Sequence, residues 1–136
     1  MKNISKVFLV LLSISSFVTN CDSDNLKVEI VASRISDSQI VLRVENRGLI
    51  TAYLSNCTAS RFVKILYVKI DNEWQQSNNW PCLDIYGPSG LALELGEVQA
   101  DTLTNMQLSG TYRFEVAISK DRGGSPEFHN SNIFEE

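Results

Sequence analysis

The alternation of Tyr112, Phe114, Val116 and Ile118 with Thr111, Arg113, Glu115 and Ala117 restricts what this chain can fold into more than any other feature. Successive side chains of an extended strand point to opposite faces, so one apolar set at a period of two describes a strand half-buried in a sheet. The same period runs through Leu26, Val28, Ile30 and Ala32, and again through Ile40, Leu42 and Val44 after an Asp37-Ser38 turn. It resumes at Ile50, Ala52 and Leu54 beyond the turn signal Asn46-Arg47-Gly48. Phe62 to Ile70 is a longer apolar run that meets the hairpin signal Asp71-Asn72-Glu73, with the return beginning at Trp74. Leu91, Leu93 and Leu95 lead to Gly96, Val98 to Leu108 reads as extended, and a short last strand is expected around Ile133 and Phe134. Amphipathic helical spacing is hard to find. Seven to nine short strands separated by turn signals predict an all-β, antiparallel Greek-key sandwich. A closed barrel is the alternative, disfavoured by the unequal strand lengths.

The first twenty residues follow a different logic. Lys2 and Lys6 precede an apolar stretch from Val7 to Val18 that Ser13, Ser15 and Ser16 dilute, and it ends at Thr19-Asn20-Cys21. About a dozen apolar positions fall short of the roughly 20 that a membrane-spanning helix needs, so the segment reads as a cleaved secretory leader. Phe17-Val18-Thr19-Asn20-Cys21 resembles a bacterial lipobox, although Asn20 stands where that pattern carries a small residue. The resemblance implies a leader over residues 1–20, an acylated Cys21, and a short tether over 21–25. The globular domain would then cover 26–136. Such a chain would sit at a bacterial cell envelope, anchored to a membrane through Cys21; plain secretion or a periplasmic location is the alternative.

Loss of the leader would leave about 116 of the 136 residues, enough for one domain with a real core. Lys2 and Lys6 would leave with it, and the remaining balance of ten basic against sixteen acidic residues excludes the clustered cations that nucleic acid requires. A third of the cysteines is then accounted for by Cys21, and Cys57 and Cys82 remain. Two cysteines in an exported domain read as a disulfide, closing a loop of about 26 residues worth roughly 3.5 kcal/mol. Two separate buried thiols are the alternative.

Leu108-Ser109-Gly110-Thr111-Tyr112 resembles the tyrosine corner of Greek-key sandwiches, in which the tyrosine ring packs in the core and its hydroxyl bonds to backbone just upstream. Val44-Glu45-Asn46, Tyr53-Leu54 before Cys57, Trp74, Cys82, Leu95-Gly96, Gly110 to Phe114 and Ser131-Asn132-x-Phe134 follow in an order similar to the small immunoglobulin-like domains of bacterial envelope lipoproteins of unassigned function. The resemblance covers most of residues 38–135. It implies an immunoglobulin-like sandwich and a bridge between Cys57 and Cys82. That bridge differs from the antibody one, whose partner position here is Phe114. It implies no activity, because such sandwiches host many unrelated functions.

Chemistry is sparse. His129 is the one histidine and is expected in a polar terminal loop, and no G-x-S-x-G elbow accompanies it. No converging ligand set for zinc or calcium can be read, no glycine-rich turn precedes a helix, and no cofactor is expected. The reading is therefore of a non-enzymatic, lipid-anchored envelope protein, a binding module for an unidentified protein partner or a structural accessory, with a monomer expected. Trp74 and Trp80, near the hairpin, and Arg122 and Gly123, in a glycine-rich loop, are the candidate contacts; Trp80 could equally cover the disulfide. Gly123-Gly124 resembles, faintly, a loop of chagasin-type immunoglobulin-like protease inhibitors, so inhibition is the alternative function.

Overall fold

The computed structural model describes residues 25–58, 60–77 and 90–135. Cys21, Trp80 and Cys82 lie outside them. The described residues form ten strands and no helix: β1 (Val28–Ser36), β2 (Gln39–Asn46), β3 (Ala52–Leu54), β4 (Lys64–Ile70), β5 (Glu73–Gln76), β6 (Leu91–Leu93), β7 (Val98–Leu103), β8 (Thr111–Ser119), β9 (Glu127–Asn130) and β10 (Phe134–Glu135). They divide into a three-stranded sheet, β1-β2-β7, and a seven-stranded sheet centred on β8. All pairings are antiparallel.

The ten strands occupy seven lanes. Val68 and Phe134 both pair with Tyr112, and Leu54 and Glu127 both pair with Ile118. A residue has one partner on each side, so β3 and β4 lie end to end along one edge of β8, and β9 and β10 along the other. Tyr67 lies between Arg113 and Gln76, and Tyr53 between Ser119 and Ala92, so β5 and β6 share the outermost lane. Residues 56–62 leave the β3–β4 lane as an excursion. The chain rejoins the lane through the Asn56–Phe62 bridge and the Val63 N–H donating to the Ser55 carbonyl at 2.6 Å. β7 crosses back to the smaller sheet to lie beside β2, the crossover that makes the arrangement a Greek key of immunoglobulin-like form.

The alternating residues of the sequence face each other between the sheets. Ile30, Ala32, Ile40, Leu42 and Val44 from one side meet Leu54, Leu66, Phe114, Val116 and Ile118 from the other in one continuous cluster. Leu42, Val44, Leu54, Phe114, Val116 and Ile118 are wholly excluded from solvent, and each such side chain contributes about 1.5–3 kcal/mol relative to exposure. Phe134 on β10 stacks on both Tyr112 and Phe114, with ring centroids 5.9 and 5.8 Å away.

Local turn chemistry sets the hairpins. Asp71 and Asn72 both take positive φ, 51° and 67°, which gives the two-residue turn whose twist suits flanking strands. Between Arg34 and Ser36 the register with β2 slips by one residue, and the extra Ile35 is turned to solvent. Two stretches differ from the sequence reading. The extended stretch expected over Val98 to Leu108 ends at Leu103, with Asn105 left-handed at φ 59°. His129, expected in a loop, lies on β9 opposite Val116. Glu-Phe-His-Asn has little intrinsic strand preference, and the free edge of β8 supplies the pairing that overrides it.

Candidate functional site

The sandwich has two unlike ends, and the residues singled out by sequence divide between them. Asn25, the first described residue, lines an open cleft of about 350 Å³ together with Leu26, Ser119, Lys120, Asp121, Ser125 and Glu127. The 47–51 and 94–97 loops belong to this N-terminal end. The Arg47 N–H donates to the Lys27 carbonyl at 2.8 Å, and the Gly96 N–H to the Asn46 carbonyl at 2.8 Å. The opposite end carries the Asp37-Ser38 turn, the Asp71-Asn72 hairpin tip and the 104–110 loop, whose Met106 N–H donates to the Ser38 carbonyl at 3.0 Å.

Trp74 lies on β5 at the hairpin end, paired with Lys69. It faces outward from the larger sheet and is half-buried because the Arg113 guanidinium covers its ring at 4.5 Å. The same guanidinium lies 5.6 Å from the Tyr67 ring and 3.5 Å from the Glu115 carboxylate. The Tyr67 hydroxyl is pushed above the ordinary tyrosine range by burial first, and then by the neighbouring Glu115 charge and its hydrogen bond. Trp74, Arg113, Tyr67 and Glu115 thus form one ordered aromatic and charged stripe. Flat π faces with a fixed cation suit contact with a protein surface better than catalysis.

Arg122 and Gly123 sit beyond the other end of β8. Gly123 takes φ 71°, and the turn is closed by the Gly124 N–H donating to the Asp121 carbonyl at 3.0 Å. Tyr112, near the stripe, and Ser119, before this turn, are seven positions apart on one strand, about 23 Å at about 3.3 Å per residue. The two candidate contact segments therefore do not converge on one site. Trp80, the remaining candidate, lies outside the described residues.

Tyr112 is buried, and its hydroxyl donates to the Ser109 carbonyl at 2.5 Å while accepting from the Ser109 N–H at 2.8 Å. Gly110, at φ 109°, makes the bend between them, and Leu108 packs against the core. Cys57 is half-buried beside the core, its Sγ 3.7 Å from the Phe62 carbonyl oxygen; its expected partner Cys82 and the lipidation candidate Cys21 lie outside the described residues. His129 is half-buried, with Nε2 3.7 Å from a Glu127 carboxylate oxygen. Among the described residues no three His, Cys, Asp or Glu side chains converge in a way that could hold a metal ion.

Two buried polar centres escaped the sequence reading. Lys64 is wholly excluded from solvent on β4; its ammonium contacts the Asp101 carboxylate of β7, donates to the Phe62 carbonyl at 3.1 Å and lies 4.5 Å from the Phe62 ring centre. Arg61 holds the same Asp101 oxygen at 3.1 Å. Burial lowers the Lys64 ammonium below the ordinary lysine range, and the pairing with Asp101 only partly opposes this. Lys64 shares the inward parity of Leu66 and Val68, so alternation alone marks it as buried; its partner, 37 positions away on the facing sheet, leaves no such mark. A buried amine of lowered proton affinity is a recurrent device of active sites. Here it is engaged by a carboxylate and a carbonyl, and the pair ties one sheet to the other. Asp101, pointing inward on the edge strand β7, also discourages edge pairing with another chain.

Asn46 is the second centre. It looks like a turn residue in the sequence but ends β2 fully buried. Its side-chain amide donates to the Ile50 and Leu93 carbonyls, both at 2.7 Å, and its side-chain oxygen accepts from the Gly48 N–H at 2.9 Å. One side chain thereby fixes both N-terminal-end loops. Gly48 is required there by close approach: a Cβ would stand 3.0 Å from the Lys27 backbone nitrogen. A further amide, Asn132, accepts from the Ala32 N–H at 2.7 Å and donates to the Ala32 carbonyl at 3.2 Å, occupying the outer edge of β1 as a strand would.

Neither a protein-family model nor a curated protein matches this chain. Among solved structures, the chain is similar to the archaellum periplasmic stator protein FlaG from Sulfolobus acidocaldarius, at 18% identity and a TM-score of 0.47, over 81% of this chain and 100% of that one.

Proposed function

We propose that this protein is a non-enzymatic module of the bacterial cell envelope, anchored through an acylated Cys21 and binding a protein partner at its hairpin end. The observation that carries the reading is the opposition of the two ends. The chain reaches the sandwich at Asn25, beside Lys120 and Asp121, whereas the Trp74–Arg113 stripe lies at the far end of β8. A domain tethered by residues 21–25 would hold its N-terminal end toward the membrane and leave the hairpin end free. Chagasin-like inhibition through Gly123-Gly124 is disfavoured by the same geometry, since that loop would face the anchor. We propose in addition that Cys57 pairs with Cys82. Support comes from the presence of two further cysteines in a domain read as exported and from the place of Cys57 beside the core.

Intact mass of the mature protein, with and without reductant, tests both covalent features: acylation should begin the chain at Cys21, and reduction should add two hydrogens. Retention of residues 1–20 would defeat the anchoring. Affinity capture from membranes should recover a stoichiometric partner that Trp74→Ala loses. Undiminished capture by that variant would remove the hairpin end from the interface.

A further inference from the structure

We propose that Leu49 and Leu95 rest in the boundary between headgroups and acyl chains of the membrane and hold the sandwich upright on it. This rests on the acylation of Cys21 proposed above.

Four steps of chain separate Cys21 from Asn25, a reach of at most about 14 Å, so an acylated Cys21 keeps Asn25 close to the lipid surface. Leu49 follows Gly48, which is so close to the arriving chain that a Cβ there would lie 3.4 Å from the Asn25 carbonyl oxygen. Leu49 and Leu95 are 73% and 59% exposed, the two most exposed large apolar side chains at this end among the described residues. Their loops are not free to fold back. The Asn46 amide holds the Ile50 and Leu93 carbonyls at 2.7 Å each, and the Asn46 carbonyl accepts from the Gly96 N–H at 2.8 Å.

Arg47, Glu94 and Glu97 beside the leucines are engaged within the protein, while Lys27 and Lys120 at this end are exposed. Arg47 contacts Glu29 and lies 3.4 Å from Glu45, and the Thr51 hydroxyl donates to Glu94 at 2.9 Å. Two lysines fall short of a polybasic patch, so attraction to the membrane is mainly apolar and largely insensitive to salt and to anionic lipid. A protein partner at these loops is the competing occupant. It is disfavoured because the anchor leaves little height between this end and the lipid.

The test uses the full acylated protein in phosphatidylcholine vesicles containing a lipid with a diazirine in its acyl chain, with acylation of Cys21 verified by mass in the same preparation. After irradiation and digestion, label should fall on 47–51 and 94–97 at least about tenfold above that on the segments of Ile35 and Ile70 at the far end. It should be largely unchanged at high salt, and Leu49→Ser with Leu95→Ser should abolish it while the protein stays anchored. Acylated protein with unlabelled loops, or with label at the far end, overturns this inference alone. An unmodified Cys21 overturns the anchoring and the inference with it. Protein cross-links at Leu49 and Leu95 in native membranes would replace lipid by a partner and likewise overturn it.

Discussion

At the N-terminal end of the sandwich a single buried amide, Asn46, holds two loops by their backbones; at the hairpin end, order comes from residues next to one another in sequence. Asp71 and Asn72 make their own turn and Tyr112 bonds to Ser109 three positions away; the one long-range contact, Arg113 over Trp74, reaches across the β4 lane and is separable from both. The lesson is about cooperativity. The first end depends on one residue with three partners, so it stands or fails as a unit. The second is assembled from separable contacts and should lose them one at a time. Between the ends, the Lys64–Asp101 pair joins the sheets and keeps the two regions in fixed relation.

Breaking that joint has the largest expected effect. Asp101→Ala leaves the Lys64 ammonium buried without its carboxylate and should cost about 3–5 kcal/mol in chemical denaturation, whereas Lys64→Met with Asp101→Leu should recover most of it. A pH series sharpens the same point. Folded Lys64 gives up its proton below the ordinary lysine range, so between its folded value and the ordinary lysine value the unfolded chain binds more protons and stability rises with pH. The contribution is complete above the unfolded lysine value and is lost as pH falls through the folded one. Lys64→Met should remove that slope; an unchanged slope would mean another group titrates.

Next in size is Asn46→Ala, which orphans two carbonyls and one N–H and should cost about 3 kcal/mol. Amide exchange should quicken across 47–51 and 93–97 together while the hairpin end is undisturbed. Exchange confined to one loop would refute the unit behaviour. Tyr112→Phe removes only the hydroxyl exchange with Ser109 and should cost about 1–2 kcal/mol, with disturbance limited to the 104–110 loop. Trp74→Ala is the mildest. It forfeits an exposed-face contact with Arg113 worth about 0.5–1 kcal/mol, so a stability loss well above that would mark Trp74 as structural.

The contrast between the ends also explains what could be read in advance. Alternation in β1, β2 and β8 marked the core because burial on one face of a strand imposes a period of two whatever the partner. Asp71-Asn72 and the Leu108 to Tyr112 segment were readable because their geometry is local. β9 was missed: within Glu127–Asn130 only Phe128 favours a strand, and the edge of β8 supplies the rest. Asn46 read as a turn because asparagine before Arg-Gly suits one, and its long-range partner, the Leu93 carbonyl, is 47 positions distant.

By itself, the sequence determined a chain of short half-buried strands, their faces and their tight turns, because side-chain polarity and local φ preferences act over a few residues. It took the assembled sandwich to bring Lys64 to Asp101, to let Asn46 secure two loops, and to set Trp74 and Gly123 toward opposite ends of β8. Those outcomes depend on which lanes adjoin and which sheet faces which. Such pairings of distant backbone are chosen by the packing of the whole core, and no short stretch of chain records them.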